Sequence, residues 1–234
     1  MSEFDELFRN LAASDPKVAA ASAEALLGSS CPLTGVPPPE LLQAMTVGAG
    51  LPDDSLLNLA RAWSRAEMSR AALDALHRSA TAQDKERFAW LLKTVLAVED
   101  APEAIVCVLD SAEDARVRRW VLEGLERLAF GGFLGWEQLD SVVAALALER
   151  TPALRLGLAS VLMALAWRPD NVHLLEPLLS DSHAEVVTAA ARTLQGHPDA
   201  VRRLNPDVLD RLRIHTNPWI RHSAQELDEA LRQS

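Results

Sequence analysis

The histidines of this chain are candidates for chemistry, because imidazoles bind metals and transfer protons. His173, His183 and His197 lie close together in the sequence, with Asp170 and Asp181 nearby. No two histidines have the HExxH or H-x-x-x-H spacing that puts two imidazoles on one helix face. The sequence therefore predicts no metal site.

Motifs for phosphate binding and nucleophilic catalysis are also missing from the sequence. The glycines form neither GxGxxG nor GxxxxGK[ST], and no G-x-S-x-G elbow occurs. The two cysteines, Cys31 and Cys107, are too few and too far apart for a disulfide framework or a cysteine-based zinc site. We therefore expect no catalytic residues, no cofactor and no enzymatic activity.

The elements that would position any functional residue are amphipathic helices. The stretch Ala101–Phe130 holds a short apolar helix, a tight acidic turn and a longer amphipathic helix, and similar pairs recur along the chain. The second helices align on their first inward residue, at spacings of 29 to 38 residues. These residues are Val18, Leu56, Phe88, Val117, Leu154, Val186 and Ile220. The period predicts about seven antiparallel helical hairpins and no strands.

This pattern resembles the HEAT repeat, a helical hairpin that buries its apolar face by stacking on copies of itself. The resemblance implies an all-α fold, a right-handed α-solenoid whose second helices line a concave surface. We expect one HEAT-like domain over 1–234, with a Pro/Gly-rich connector at 28–39. In the family, an Asp in the inter-helix turn and an Arg one step after the inward residue form a ladder between repeats. The matching residues are Asp110, Asp181, Arg118, Arg155 and Arg221.

A partner-binding surface is predicted where side chains project from the second helices, two and six steps after the inward residue. These positions hold Asn58, Trp90, Arg119, Glu123, Leu156, Thr188, Arg192, His222 and Glu226. Tryptophan and arginine are the types that anchor interfaces. Arg119 and Glu123 have no structural task that the sequence reveals. The central hairpin is therefore the predicted place to look for the partner.

Charge and hydropathy narrow the class of partner. A net charge of −10 argues against nucleic-acid binding and is compatible with a basic protein. No window approaches 18 uninterrupted apolar residues and no secretory signal is visible, so we expect a cytoplasmic protein that does not enter membranes. The first helices carry most of the acidic residues, so one alternative is a basic partner that binds the convex side. Another alternative is that the acidic residues only keep the chain soluble.

The function that the sequence predicts is a non-catalytic protein-binding scaffold, adaptor or inhibitor that uses the concave surface. One alternative is an immunity-type protein that neutralises a basic toxin or nuclease through its acidic surface. A second alternative follows from HEAT-like DNA glycosylases, in which Trp90, Arg119, Glu123 and Arg192 would grip damaged DNA. The acidity of the chain argues against that alternative.

Overall fold

The computed structural model describes residues 3–11, 15–28, 37–46 and 63–233. Regular structure in these ranges is helical throughout, with no strand in any of them. The chain forms two compact units, Met1–Ala104 and Ile105–Ser234, which are described one at a time below. That residues 1–234 act as a single domain stays a prediction.

The N-terminal unit begins with α1 (Glu3–Leu11), which packs on α2 (Pro16–Leu27) and α3 (Pro39–Thr46). It continues with α4 (Arg65–Arg78) and α5 (Ala82–Val95), which pack on each other. Residues 29–36 of the predicted connector and residues 53–62 of the predicted second helix of the next hairpin lie outside the described residues.

Helix α5 shows that the predicted register is wrong by one residue in this hairpin. Ala89 is fully buried, whereas Phe88, the predicted inward residue, is only half-buried. Leu92 lies three positions after Ala89 and is also fully buried, so the packing face runs through Ala89. The small side chain of Ala89 suits close packing against α4, which itself buries Ala71 and Ala72.

The C-terminal unit follows α6 (Ala101–Leu109), which crosses the boundary between the units. Its hairpins pair α8 (Trp136–Ala147) with α9 (Pro152–Ala164), α10 (Asn171–Leu179) with α11 (Ala184–Gln195), and α13 (Pro206–Arg213) with α14 (Pro218–Gln233). The long helix α7 (Ala115–Phe130) precedes them, and a short helix α12 (Pro198–Val201), which the sequence did not predict, follows α11. The second helices pack in the order α7, α9, α11, α14. The predicted all-α, HEAT-like stacking of hairpins is confirmed.

Charged side chains connect successive hairpins of this stack. Arg118 is buried, donates from Nε to the carbonyl of Val108 at 2.8 Å, and pairs through Nη1 with Glu149 at 3.1 Å. Arg155 pairs in the same way with Asp181 of the next turn. Glu149 thus takes the place of the aspartate in the predicted ladder. Two other predicted members make different contacts: Arg221 donates to the carbonyls of His215 and Thr216, and Asp110 accepts the N–H of Ala112.

Gly157 allows α9 to approach α7 closely. A Cβ atom at this position would lie 2.3 Å from Cδ2 of Leu122, which is fully buried, and 3.3 Å from Nη1 of Arg119. Such a contact is far inside van der Waals range, so the two helices can keep their separation only because residue 157 has no side chain.

Candidate functional site

A groove of about 620 Å³ crosses the row of second helices in the C-terminal unit. Four helices line it: α7, α9, α11 and α14. Its lining residues are Arg119, Leu156, Ser160, Met163, Ala184, Glu185, Thr188, Ala189, Arg192 and Trp219. We call it the second-helix groove. Its volume lies within the range of about 300–1,000 Å³ that is usual for binding pockets.

Helix α11 contributes five of the ten lining residues of the groove. Glu185, Thr188 and Arg192 follow one another at spacings of three and four, and Ala189 lies four positions after Glu185, so they share a face of the helix. The opposite face of α11 is buried through Val187, Ala190 and Leu194. Helix α11 is therefore amphipathic, and burial of the apolar face directs the groove face outward.

Two large apolar side chains of the groove are exposed to solvent. Met163 near the end of α9 is 46 % exposed, and Trp219 in the first turn of α14 is 70 % exposed. Both lie beside small or uncharged lining residues such as Ala189 and Ser160. An apolar surface of this kind loses its contact with water when another molecule covers it, which favours binding.

Arg119 has a structural task that the sequence did not reveal. Its guanidinium pairs with Glu126 at 2.5 Å and with Glu123 at 3.2 Å, and its side chain is only 15 % exposed. The interpretation of Arg119 and Glu123 as residues without a structural role is therefore wrong. These two carboxylates already compensate the charge that Arg119 brings to the groove.

Glu185 and Arg192 differ from Arg119 in having no ionic partner. Both side chains are exposed, and within residues 63–233 neither makes an ion pair or a side-chain hydrogen bond. The groove thus has one uncompensated anion near the start of α11 and one uncompensated cation near its end.

Of the nine residues predicted on the partner-binding surface, Asn58 lies outside the described residues. Four of the remaining eight line this groove: Arg119, Leu156, Thr188 and Arg192. The other four predicted residues do not. Glu123 pairs with Arg119. Glu226 accepts a hydrogen bond from Gln195 Nε2 at 2.7 Å and lies 3.5 Å from His222. Trp90 belongs to the N-terminal unit, where it is half-buried on α5. Whether any of the eight binds a partner stays a prediction.

Sequence reasoning missed Glu185, Met163 and Trp219, although a signal for the first and last was available. Glu185 and Trp219 each stand one position before the inward residue of their helix, which is Val186 for Glu185 and Ile220 for Trp219. That position precedes the predicted outward position by three and shares its face. Extending the helical face by one turn toward the N-terminus would have included both residues.

A smaller hollow of about 310 Å³ lies where the chain leaves α9 and α11. The rings of Trp167 and His197 stack there with centroids 4.2 Å apart and an interplanar angle of 17°. Burial lowers the pKa of His197 below its ordinary value, because the charged imidazolium loses hydration. His197 thus packs as an aromatic ring against Trp167.

Neither a metal-ligand cluster nor a membrane-spanning helix occurs within the described ranges. Among those residues, no group of three or more His, Cys, Asp or Glu side chains is arranged to hold a metal ion. No helix in the same ranges has both the length and the apolar character needed to cross a bilayer.

Known solved structures include chains that are similar to this one. The chain is similar to the structure of human deoxyhypusine hydroxylase in complex with glycerol, with a TM-score of 0.36 and 15 % sequence identity. The match covers 99 % of this chain and 96 % of the hydroxylase chain. No protein-family model and no curated protein sequence matches this chain.

The match corrects two expectations drawn from the sequence. A non-catalytic scaffold was expected because the resemblance was to repeat proteins that act as adaptors, and enzymatic activity was not expected. This solved structure, which is similar along almost the entire chain, is that of an enzyme, and it contradicts both expectations. At this identity and TM-score the match transfers no reaction to this chain.

Proposed function

We propose that the C-terminal unit binds a segment of another protein in the second-helix groove. The observation that carries the proposal is the exposure of Trp219 and Met163, at 70 % and 46 %, on the wall of a groove of about 620 Å³. Large side chains that leave this much apolar surface in water inside a concave site are typical of interaction surfaces. The proposal concerns binding and assigns no reaction.

The dimensions of the groove favour a protein segment over a globular surface. Its lining residues all belong to helices, and they include short side chains such as Ala184, Thr188 and Ala189. Grooves between helices commonly accept a helix or an extended segment that inserts a few apolar anchors. Trp219 supplies a broad apolar face for such an anchor, and the thioether of Met163 adapts to its shape.

The net charge of the whole chain favours a basic partner. The net charge of −10 would draw a basic protein toward this chain and accelerate the encounter. Two cysteines in 234 residues fit a reducing compartment, and we place the binding in the cytoplasm. We also assign the chain to the HEAT-repeat proteins, on the support of the Arg118–Glu149 and Arg155–Asp181 pairs between hairpins.

The test uses the full chain as bait for a random peptide library displayed on phage. Selected peptides are synthesised, and their affinities are measured for the wild type, Trp219→Ala and Thr188→Arg, which fills the groove. Loss of an interface tryptophan at the centre of a contact is expected to weaken binding about thirtyfold, or about 2 kcal/mol.

Phe133→Ala is the matched control. Phe133 is 61 % exposed and is not part of the groove lining, so this change removes an equally exposed aromatic ring elsewhere in the same unit. Its affinities should equal those of the wild type. Peptides that bind the wild type and Thr188→Arg equally well would show that the groove is not the binding site.

A further inference from the structure

We infer that the segment held in the second-helix groove carries a cationic side chain and a carboxylate about 10 Å apart, with apolar side chains between them. This inference rests on the proposed function and specifies the chemistry of the partner. It follows from the charges that line the groove, taken helix by helix.

The charged groups that face the groove are few. Helix α7 contributes Arg119, α11 contributes Glu185 and Arg192, and the groove residues of α9 and α14 are uncharged. Arg119 is compensated within α7 by Glu123 and Glu126. Glu185 and Arg192 therefore determine which charges the groove can recognise.

Glu185 and Arg192 have a fixed relation to each other. They stand seven positions apart on α11, so they lie about 10 Å apart along the helix axis on nearly the same face. The distance is too long for them to pair with each other within α11. An anion and a cation held apart on one wall together complement a partner with the opposite two charges at the same separation.

The spacing of charges in the partner follows from backbone geometry. An extended segment rises about 3.3 Å per residue, so its cation and carboxylate would be three residues apart. A helical segment rises about 1.5 Å per residue, so they would be seven residues apart. In both cases the side chains between the charges lie over Thr188 and Ala189, where uncharged side chains fit.

Charge-reversal complementation tests the inference with the peptides selected on the wild-type full chain. Each selected peptide is made in three forms: unchanged, with its carboxylate replaced by Lys, and with its cation replaced by Glu. The binding proteins are the wild type, Arg192→Glu and Glu185→Lys. Isothermal titration calorimetry gives the affinity of each combination.

The expected result is a matched exchange of preference. Arg192→Glu should weaken the unchanged peptide about fivefold and restore the peptide whose carboxylate became Lys, because exposed ion pairs contribute up to about 1 kcal/mol and like charges repel. Glu185→Lys should do the same for the peptide whose cation became Glu. Arg203→Glu changes the charge equally at an exposed residue outside the groove, and should leave every affinity unchanged.

The outcomes separate this inference from the proposed function. Peptides that lose binding to Trp219→Ala but bind Arg192→Glu and Glu185→Lys as well as the wild type would overturn the charge inference alone. Selected peptides with charges of one sign only would overturn it as well. Peptides whose binding is indifferent to both Trp219→Ala and Thr188→Arg would overturn the proposed function and the inference together.

Discussion

Arg155 and Asp181 form a two-bond ion pair that joins one hairpin to the next. Nε of Arg155 lies 2.5 Å from Oδ2 of Asp181, and Nη2 lies 3.1 Å from Oδ1. The same Oδ1 accepts the backbone N–H of His183 at 2.9 Å, in the first turn region of α11. Asp181 therefore contacts the preceding hairpin and also holds His183, the residue just before α11, with one carboxylate.

Replacing Asp181 by Asn should destabilise the fold by about 2 kcal/mol. The carboxylate is 5 % exposed and accepts charge-assisted hydrogen bonds. The loss of one such bond lowers the free energy of unfolding by about 1.5–3 kcal/mol. Urea unfolding followed by circular dichroism measures the change. Asp199→Asn is the control, because the Asp199–Arg202 pair is exposed and should contribute less than about 0.5 kcal/mol. Equal effects of the two changes would contradict a structural role for Asp181.

Stability should fall in acid through Asp181. Burial raises the pKa of Asp181, but hydrogen bonds from Arg155 and His183 outweigh burial and hold it below its ordinary value. The unfolded chain then binds the proton more readily than the folded chain. The contribution of Asp181 is therefore full above the ordinary carboxyl pKa of about 4 and is lost as the pH falls through the lower folded-state pKa.

The measurement is the urea midpoint between pH 6 and pH 3 for the wild type and Asp181→Asn. The wild type should lose stability more steeply below about pH 4, so that the two midpoints converge in acid. Glu149 and Asp228 also have lowered pKa values and contribute a residual slope in both proteins. A constant difference in midpoint over the whole range would refute the assignment to Asp181.

Gly157→Ala should destabilise the C-terminal unit by about 1 kcal/mol. Alanine is the better helix former by about 1 kcal/mol, but its Cβ would meet the buried Leu122 side chain at 2.3 Å, and overpacking costs about 1–3 kcal/mol. The free energy of unfolding in urea is again the measurement. Combining the change with Leu122→Ala should give a smaller loss than the sum of the two single losses.

Gly196→Ala provides the opposite case within the same unit. Gly196 has a right-handed helical conformation, with φ −75°, and a Cβ there would meet nothing within 4 Å. Alanine should therefore leave stability unchanged or raise it by up to about 1 kcal/mol. If both glycine replacements had the same effect, the close approach of α9 to α7 would not explain Gly157.

His197 should titrate below the ordinary histidine pKa of about 6.5. Burial against Trp167 disfavours the imidazolium, so the folded-state pKa is lowered and stability declines as the pH drops below about 6.5. Two-dimensional NMR of the ring protons gives the pKa. In Trp167→Ala, which uncovers one face of the ring, the pKa should move upward. A wild-type value at or above 6.5 would contradict this.

The hairpins could be predicted from sequence because their signals are local. Pro152, Pro206 and Pro218 stand at the first positions of their helices, and Val117, Leu154, Val186 and Ile220 are buried as predicted. The register failed at Phe88, where Ala89 is the buried residue, and at Val18, which is 41 % exposed, because packing between helices is not a local property of the sequence.

The site was harder to predict because it depends on which polar groups find partners. Arg119 and Arg192 both occupy predicted outward positions, two and six steps after the inward residue of their helices, yet Arg119 is held by Glu126 one turn beyond Glu123. Arg192 has Gln195 and Gly196 in the following turn, which offer no carboxylate. Glu149 was missed because the family pattern specifies Asp, whereas the longer Glu side chain reaches Arg118 equally well.

The pairs Arg118–Glu149 and Arg155–Asp181 also define how this stack can grow. Each arginine needs an acid supplied by the turn of the following hairpin. A gene duplication whose breakpoints fall just after two successive acids copies one arginine together with one acid, so every copy arrives able to join both neighbours. Breakpoints that fall between an arginine and its acid keep this balance only if both lie at the same position of two successive hairpins. The ionic contacts therefore set the unit, one arginine with one acid, that can be inserted or deleted without leaving a buried charge unpaired.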